Sequence, residues 1–150
     1  MKLRDQMPEL SGATKWLNSK PLSKKELTGN KPVLIHFWSV SCDTCEKAMP
    51  KVNEFRDAYK GELHVIAVHM PRSEEDEDLN AVRRAAKKHN MTQPVFVDHE
   101  HSLTNAFKNR YVPAYYLFDA NGRLRHRQSG SGGMHILQKR VDRVLNETGR

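Results

Sequence analysis

Cysteine is scarce in this chain: 150 residues hold two, Cys42 and Cys45. A scaffold stapled by several disulfides is excluded, and with it the small secreted folds that depend on one. A zinc site of the four-cysteine kind is excluded too, because no second C-x-x-C follows. No apolar run approaches the roughly 20 residues that a membrane-spanning helix needs. The N-terminal Met1 to Pro8 carries charge but no apolar core, so no secretory signal is read there, and a cytoplasmic location is expected. Formal net charge is +7. Yet no dense Lys/Arg block interleaved with aromatics occurs, so a solvated basic surface that draws acidic partners is favoured over a nucleic-acid binder. The acidic run Glu74 to Asp78 lacks the spaced Asp/Asn/Gly pattern of a calcium loop. A peroxidase signature of the P-x₃-T-x₂-C kind is missing.

What is present is concentrated in Trp38-Ser39-Val40-Ser41-Cys42-Asp43-Thr44-Cys45. The residues before it, Val33 to Phe37, are mostly apolar and β-prone, as a buried central strand should be. The residues after it read as a helix, with Asp43 the candidate N-cap and Met49, Val52, Asn53 and Phe55 at helical spacing. A C-x-x-C that opens a helix after a buried strand is a redox arrangement. The helix N-terminus offers unpaired N–H groups and positive partial charge, and both favour a thiolate. The alternatives are half of a zinc site and two inert core cysteines; the strand–turn–helix setting favours redox chemistry over either.

The run F-W-S-V-S-C-D-T-C-x₄-P resembles the active-site signature of the thioredoxin superfamily. Trp38 precedes the first cysteine by four residues, Pro50 follows the second by five, and Val112-Pro113 lies far downstream. The longer middle segment and the C-x-x-C-x₃-Met-Pro form resemble the TlpA/ResA branch of thiol–disulfide oxidoreductases. The stretches I-H-F-W-S-x-S-C, V-H-M-P-R-S-E-x-D and Y-V-P-A-Y-Y resemble a soluble member of that branch. The resemblance runs from about Met1 to Leu145. It implies a thioredoxin-like α/β fold, a mixed central sheet flanked by helices with an extra helix in the middle of the chain. It also implies disulfide exchange with protein substrates, an upstream thiol reductase, and no cofactor. The chain departs from the pattern at Ala48, where the branch often has glutamate, and at His36, where thioredoxins have a buried aspartate.

The remaining chain divides into short elements consistent with one domain over residues 1–150, expected to be monomeric. Residues 1–12 read as a polar arm, 14–18 as an edge strand with Trp16 over the core, and Pro21 to Leu27 as a helical turn. The helix after the cysteines should run from Asp43 to about Tyr59 and stop at Gly61, kinked at Pro50. Leu63 to Met70 reads as a second core strand and predicts a right-handed parallel βαβ unit. The acidic run then leads into a surface helix over Leu79 to Asn90, acidic first and basic last. Pro94 to Val97 is a short strand and Ser102 to Phe107 a helical turn. Ala114 to Asp119 and Leu124 to Ser129 form a hairpin about Asn121-Gly122, and Met134 to Glu147 closes the fold as an amphipathic helix.

Within this frame Cys42, at the turn, is expected to be the more exposed, attacking thiol, and Cys45, one turn into the helix, the resolving one. Asp43, beside Cys42, opposes its ionisation, while Thr44 in place of a proline leaves a free N–H for the thiolate. Together they suggest an ordinary or reducing couple rather than a strong oxidant. The resemblance implies that Val112–Pro113 is a cis bond facing the cysteines, with the backbone of Val112 pairing with substrate. Trp38 is read equally as core packing or as a shaper of the site. His36 is a candidate proton acceptor for Cys45, against the plainer role of a buried packing residue. His64, His69, His89, His99, His101, His126 and His135 show no ligand cluster and read as surface or strand residues, so no metal is expected. The competing class of function is a cysteine-based metal carrier or a docking module.

Overall fold

The structure, a computed structural model, describes residues 1–148. The strands are β1 (Lys15–Leu17), β2 (Val33–Trp38), β3 (His64–His69), β4 (Val95–Val97), β5 (Ala114–Phe118) and β6 (Leu124–Ser129). The helices are α1 (Lys24–Leu27), α2 (Asp43–Ala58), α3 (Leu79–Lys88), α4 (Ser102–Phe107) and α5 (Met134–Glu147). One six-stranded sheet runs in the order β1-β4-β3-β2-β5-β6. The pairs β2–β3 and β3–β4 are parallel; β1, β5 and β6 join antiparallel.

Strand β2 lies inside the sheet, and all six of its residues are buried. Alternation sends its side chains to two faces. Leu34 and Trp38 pack with Cys45, Met49, Val52 and Phe55 of α2 and with Leu137, Val141 and Val144 of α5. Val33, Ile35 and Phe37 pack on the other face with Leu103 and Phe107 of α4 and Leu27 of α1. Both faces are covered, which is why β2 and β3 read as near-continuous apolar runs.

Two departures from the sequence reading are informative. The N-terminal arm is not simply polar: Met7 and Leu10 are buried in the α4-side cluster. Arg4 donates its N–H to the Leu124 carbonyl at 2.8 Å and Leu124 donates to Asp5 at 2.9 Å, so the arm lies along the start of β6. The acidic run is not part of the surface helix. Glu74–Glu77 form a separate 3₁₀ turn, and Asp78 caps α3 by accepting from the N–H groups of Asn80 and Ala81. Within that turn Asp76 is buried at 3% exposure.

The registers decide where the chemistry gathers. Trp38, the last residue of β2, lies opposite His69, the last residue of β3. Phe37 lies opposite Ala114, the first residue of β5. Three loops therefore meet at one end of the sheet: the cysteine turn, the segment after His69, and Val112-Pro113. This is the carboxyl end of the parallel strands, where open α/β sheets place their sites.

Candidate active site

Cys42 and Cys45 are joined in a disulfide, their Cα atoms 5.2 Å apart. The N-cap of α2 is Cys42 rather than Asp43. Its Sγ accepts the backbone N–H of Cys45 at 3.1 Å and lies 3.4 Å from the Thr44 hydroxyl. A sulfur thus takes the place that a serine or aspartate oxygen usually fills at a helix start. The donor that reaches it is the N–H of Cys45, and Thr44 contributes its hydroxyl, not the N–H expected from sequence. Asp43 and Thr44 are exposed on the first turn. Both cysteines are buried, Cys42 at 3% and Cys45 at 1%, so the expected difference in exposure is small. Both belong to the apolar cluster under α2; what separates them is that Cys42 sulfur also meets the Cys45 N–H and the Thr44 hydroxyl at the helix end.

The turn before Cys42 is held almost atom by atom. Met70 donates its N–H to the Trp38 carbonyl at 2.8 Å, and Ser39 Oγ donates to the Met70 carbonyl. Val40 donates its N–H to His69 Nε2 at 3.2 Å. Ser41 Oγ donates to Asp76 Oδ2 at 2.8 Å, and the N–H of Arg72 donates to the same carboxylate oxygen at 2.9 Å. The Arg72 guanidinium returns to Ser41, donating to its carbonyl at 2.6 Å and to its hydroxyl at 3.0 Å. From sequence His69 is one of several scattered histidines, and Asp76 is one acid of the run that leads into the surface helix. The signal was there in V-H-M-P-R-S-E-x-D, which spans Val68 to Asp76 and supplies every one of these partners except the cysteine turn itself.

His69 is fully buried, and its imidazole is held down to a pKa of about 4, chiefly by burial, with His99 adding to the effect and Asp76 opposing it. Because Nε2 accepts from Val40, the ring is neutral and carries its proton on Nδ1. Trp38 is buried and meets the His69 ring edge-on at 4.9 Å, so it packs under the turn.

His36 faces the α2 side of the sheet, stacked 6.3 Å from the Tyr115 ring. Its Nε2 lies 3.0 Å from Gln93 Nε2. Arg56 Nη1 donates to Gln93 Oε1 at 2.9 Å, and a guanidinium can only donate, so the amide nitrogen is the end that faces His36. His36 Nε2 therefore accepts, and the imidazole is neutral. Burial and the Arg56 charge hold its pKa down to about 3. A lone pair already engaged, on a ring that weakly basic, favours the packing role over that of a base for Cys45.

The Val112–Pro113 bond is cis. Pro113 is buried, and Val112, half-buried, touches both apolar clusters. The loop is anchored by Asn109, which the sequence reading did not single out. Asn109 Nδ2 donates to the Tyr111 carbonyl at 2.9 Å, and its Oδ1 accepts from the Tyr116 hydroxyl at 2.8 Å.

His64 and His69 stand at a spacing that zinc sites use, but five residues apart on a strand they face opposite sides of the sheet. Among the described residues no group of three or more His, Cys, Asp or Glu converges to hold a metal, and no helix is long and apolar enough to cross a membrane.

A redox pair at the start of a helix, beside a cis-proline loop and on a sheet of this order, defines a thioredoxin-fold thiol–disulfide oxidoreductase. The chain belongs to the redoxin family, which it matches over residues 2–145. It is 58% identical over 148 residues to the thiol-disulfide oxidoreductase YkuV of Bacillus subtilis (strain 168), covering 99% of each chain. It is also 25% identical over 115 residues to the thiol-disulfide oxidoreductase ResA of Geobacillus kaustophilus (strain HTA426), covering 76% of this chain and 63% of that protein. Among solved structures, the solution structure of a thioredoxin-like protein in the oxidized form superposes with a TM-score of 0.90 at 58% identity, covering 98% of this chain and 99% of that one. The fold expected from sequence and the activity of thiol–disulfide exchange both stand on these matches.

Proposed function

We propose that the chain works as a reductant of disulfides in proteins, with Cys42 attacking and Cys45 resolving. The observation that supports this division is the N–H of Cys45 on Cys42 Sγ at 3.1 Å. A backbone donor and the helix N-terminus both stabilise negative charge on that sulfur. In the reduced protein the Cys42 thiolate attacks one sulfur of the substrate disulfide. A Cys42–substrate bond forms, the substrate S–S bond breaks, and the departing thiolate takes a proton from solvent. Cys45 then loses its proton and attacks Cys42 sulfur, which releases the second substrate thiol. Two electrons have passed to the substrate, and the protein is left in the disulfide form seen here. A dithiol donor must reduce it again, which is the place of an upstream thiol reductase.

Val112, next to Pro113 and facing the cysteine turn, is read as the residue whose backbone pairs with an extended substrate. Asp43 and Thr44, exposed on the first turn of α2, border that contact, and Trp38 supports the turn from beneath. The cytoplasmic location expected from sequence belongs to the same reading, since a thiol pool there would keep the pair reduced; cell fractionation tests it.

The decisive experiment is trapping. Cys45→Ser should accumulate mixed disulfides with proteins of a cell extract through Cys42, and Cys42→Ser should not. Equal trapping by both variants, or by neither, would show that the roles are misassigned. Direction is read separately, by equilibrating the pair against glutathione: a reductant stays oxidised at glutathione ratios that leave thiols of ordinary potential reduced.

A further inference from the structure

A cleft of about 460 Å³ opens beside the Val112–Pro113 loop, between the end of α4 and the β5–β6 hairpin. Lys108, Arg110, Tyr111 and Arg127 line it, above Ala114 and Tyr116 of β5. All three cations are exposed, and among the described residues none forms an ion pair. Arg125 and Arg56, by contrast, have acidic partners: Arg125 lies against Glu147 at 2.6 Å, and Arg56 against Asp57 at 2.9 Å. Three like charges left together around one concavity repel one another, and a carboxylate entering it would relieve that repulsion. Tyr111 is 68% exposed at the rim, an aromatic face with no covering partner. Arg110 and Tyr111 directly precede Val112-Pro113, so one wall of the cleft runs into that loop, while its floor, Ala114 and Tyr116, belongs to the α4-side face of the sheet; Val112 itself packs against both faces.

We propose that this cleft is the specificity site for the substrate: it takes an acidic side chain lying a few residues from the target cysteine. The inference rests on the reading of Val112 as the pairing residue. An extended strand advances about 3.3 Å per residue, so a substrate held at Val112 brings side chains two or so positions from its cysteine to the level of Tyr111 and Arg110. Charge then selects which disulfides dwell beside Cys42 and raises the rate of productive encounter.

Two synthetic peptides with one intramolecular disulfide each test this. They are identical except that one carries Glu, and the other Gln, at the positions two residues before and two residues after the cysteine. The second-order rate of their reduction by the dithiol form is measured for the wild type, for Arg110→Gln/Arg127→Gln, and for Lys87→Gln/Lys88→Gln on the distant α3. The Glu peptide should react faster than the Gln peptide by roughly two- to fivefold per ion pair formed. That preference should collapse in the Arg110/Arg127 variant, persist in the Lys87/Lys88 variant, and shrink as salt is raised toward about 0.5 M. Equal rates for the two peptides in the wild type overturn the proposal, as does an equal loss of preference in both variants, which would assign the effect to overall charge. Failure of the wild type to reduce either peptide counts against the reductant reading itself and is distinguished from these by that result alone.

Discussion

The Arg72 guanidinium donates to the carbonyl of Ser41 at 2.6 Å, so a cation from the loop after β3 is fastened to the residue that precedes Cys42. Asp76, buried behind it, accepts from both Ser41 Oγ and the Arg72 N–H and so fixes the two partners relative to each other. The cysteine turn is rigid because a neighbouring loop supplies what its own backbone lacks.

That arrangement predicts an electrostatic role for Arg72. A nearby positive charge favours the thiolate. Arg72→Gln should move the pH midpoint of Cys42 alkylation upward and slow exchange near neutral pH by roughly threefold, the scale of an exposed charge interaction. Arg72→Lys should restore part of both. Iodoacetamide labelling of the reduced protein across pH measures the midpoint; an unmoved midpoint in the glutamine variant would leave Arg72 as a tether only.

Asp76→Ala removes the acceptor of two donors at once. Leaving such groups unpaired costs about 1–3 kcal/mol. The urea midpoint should fall accordingly, and Ser41→Ala should cost less, because the exposed Ser41 hydroxyl is only one of the two donors. Unchanged midpoints in both would show that water replaces the carboxylate.

Acid should destabilise the fold earlier than carboxylate titration alone explains. His36 and His69 have folded pKa values of about 3 and about 4, below the 6.5 of a free imidazole. The unfolded chain therefore binds protons that the folded chain refuses. Their contribution is intact above pH 6.5 and is lost as pH falls from there toward the folded values. Over that window each buried imidazole costs about 1.4 kcal/mol per pH unit. Urea unfolding at pH 7.5, 6.0 and 5.0 checks it: His69→Gln should be less stable than wild type at pH 7.5, yet lose less stability on acidification.

His36 is tested by resolution kinetics. Stopped-flow decay of a preformed Cys42 mixed disulfide, from pH 6 to 9, should give parallel profiles in wild type and His36→Phe, since His36 Nε2 is already committed to Gln93 at 3.0 Å. A variant that slows most near neutrality and recovers at high pH would instead make His36 the proton acceptor for Cys45.

Local pattern determined much of this protein. The apolar run of β2 followed by C-D-T-C and helical spacing made the redox turn legible, because a strand, a turn and a helix in succession leave a chain little other choice. The hairpin about Asn121-Gly122 and the bounds of α5 were legible for the same reason. The cap itself was misplaced by one residue: aspartate is the usual cap, and only in three dimensions does Cys42 sulfur lie over the N–H of Cys45. What tertiary structure alone decided is which polar residues leave solvent. Asp76 sits in a run of five acids, and no periodicity marks it as the one turned inward. It is buried because Ser41, 35 positions away in the chain, presents a hydroxyl to it. His69 and Gln93 are likewise placed by partners distant in sequence, Val40 for the first and His36 and Arg56 for the second, and the free energy that holds them inside belongs to hydrogen bonds that exist only once the sheet has brought its loops together.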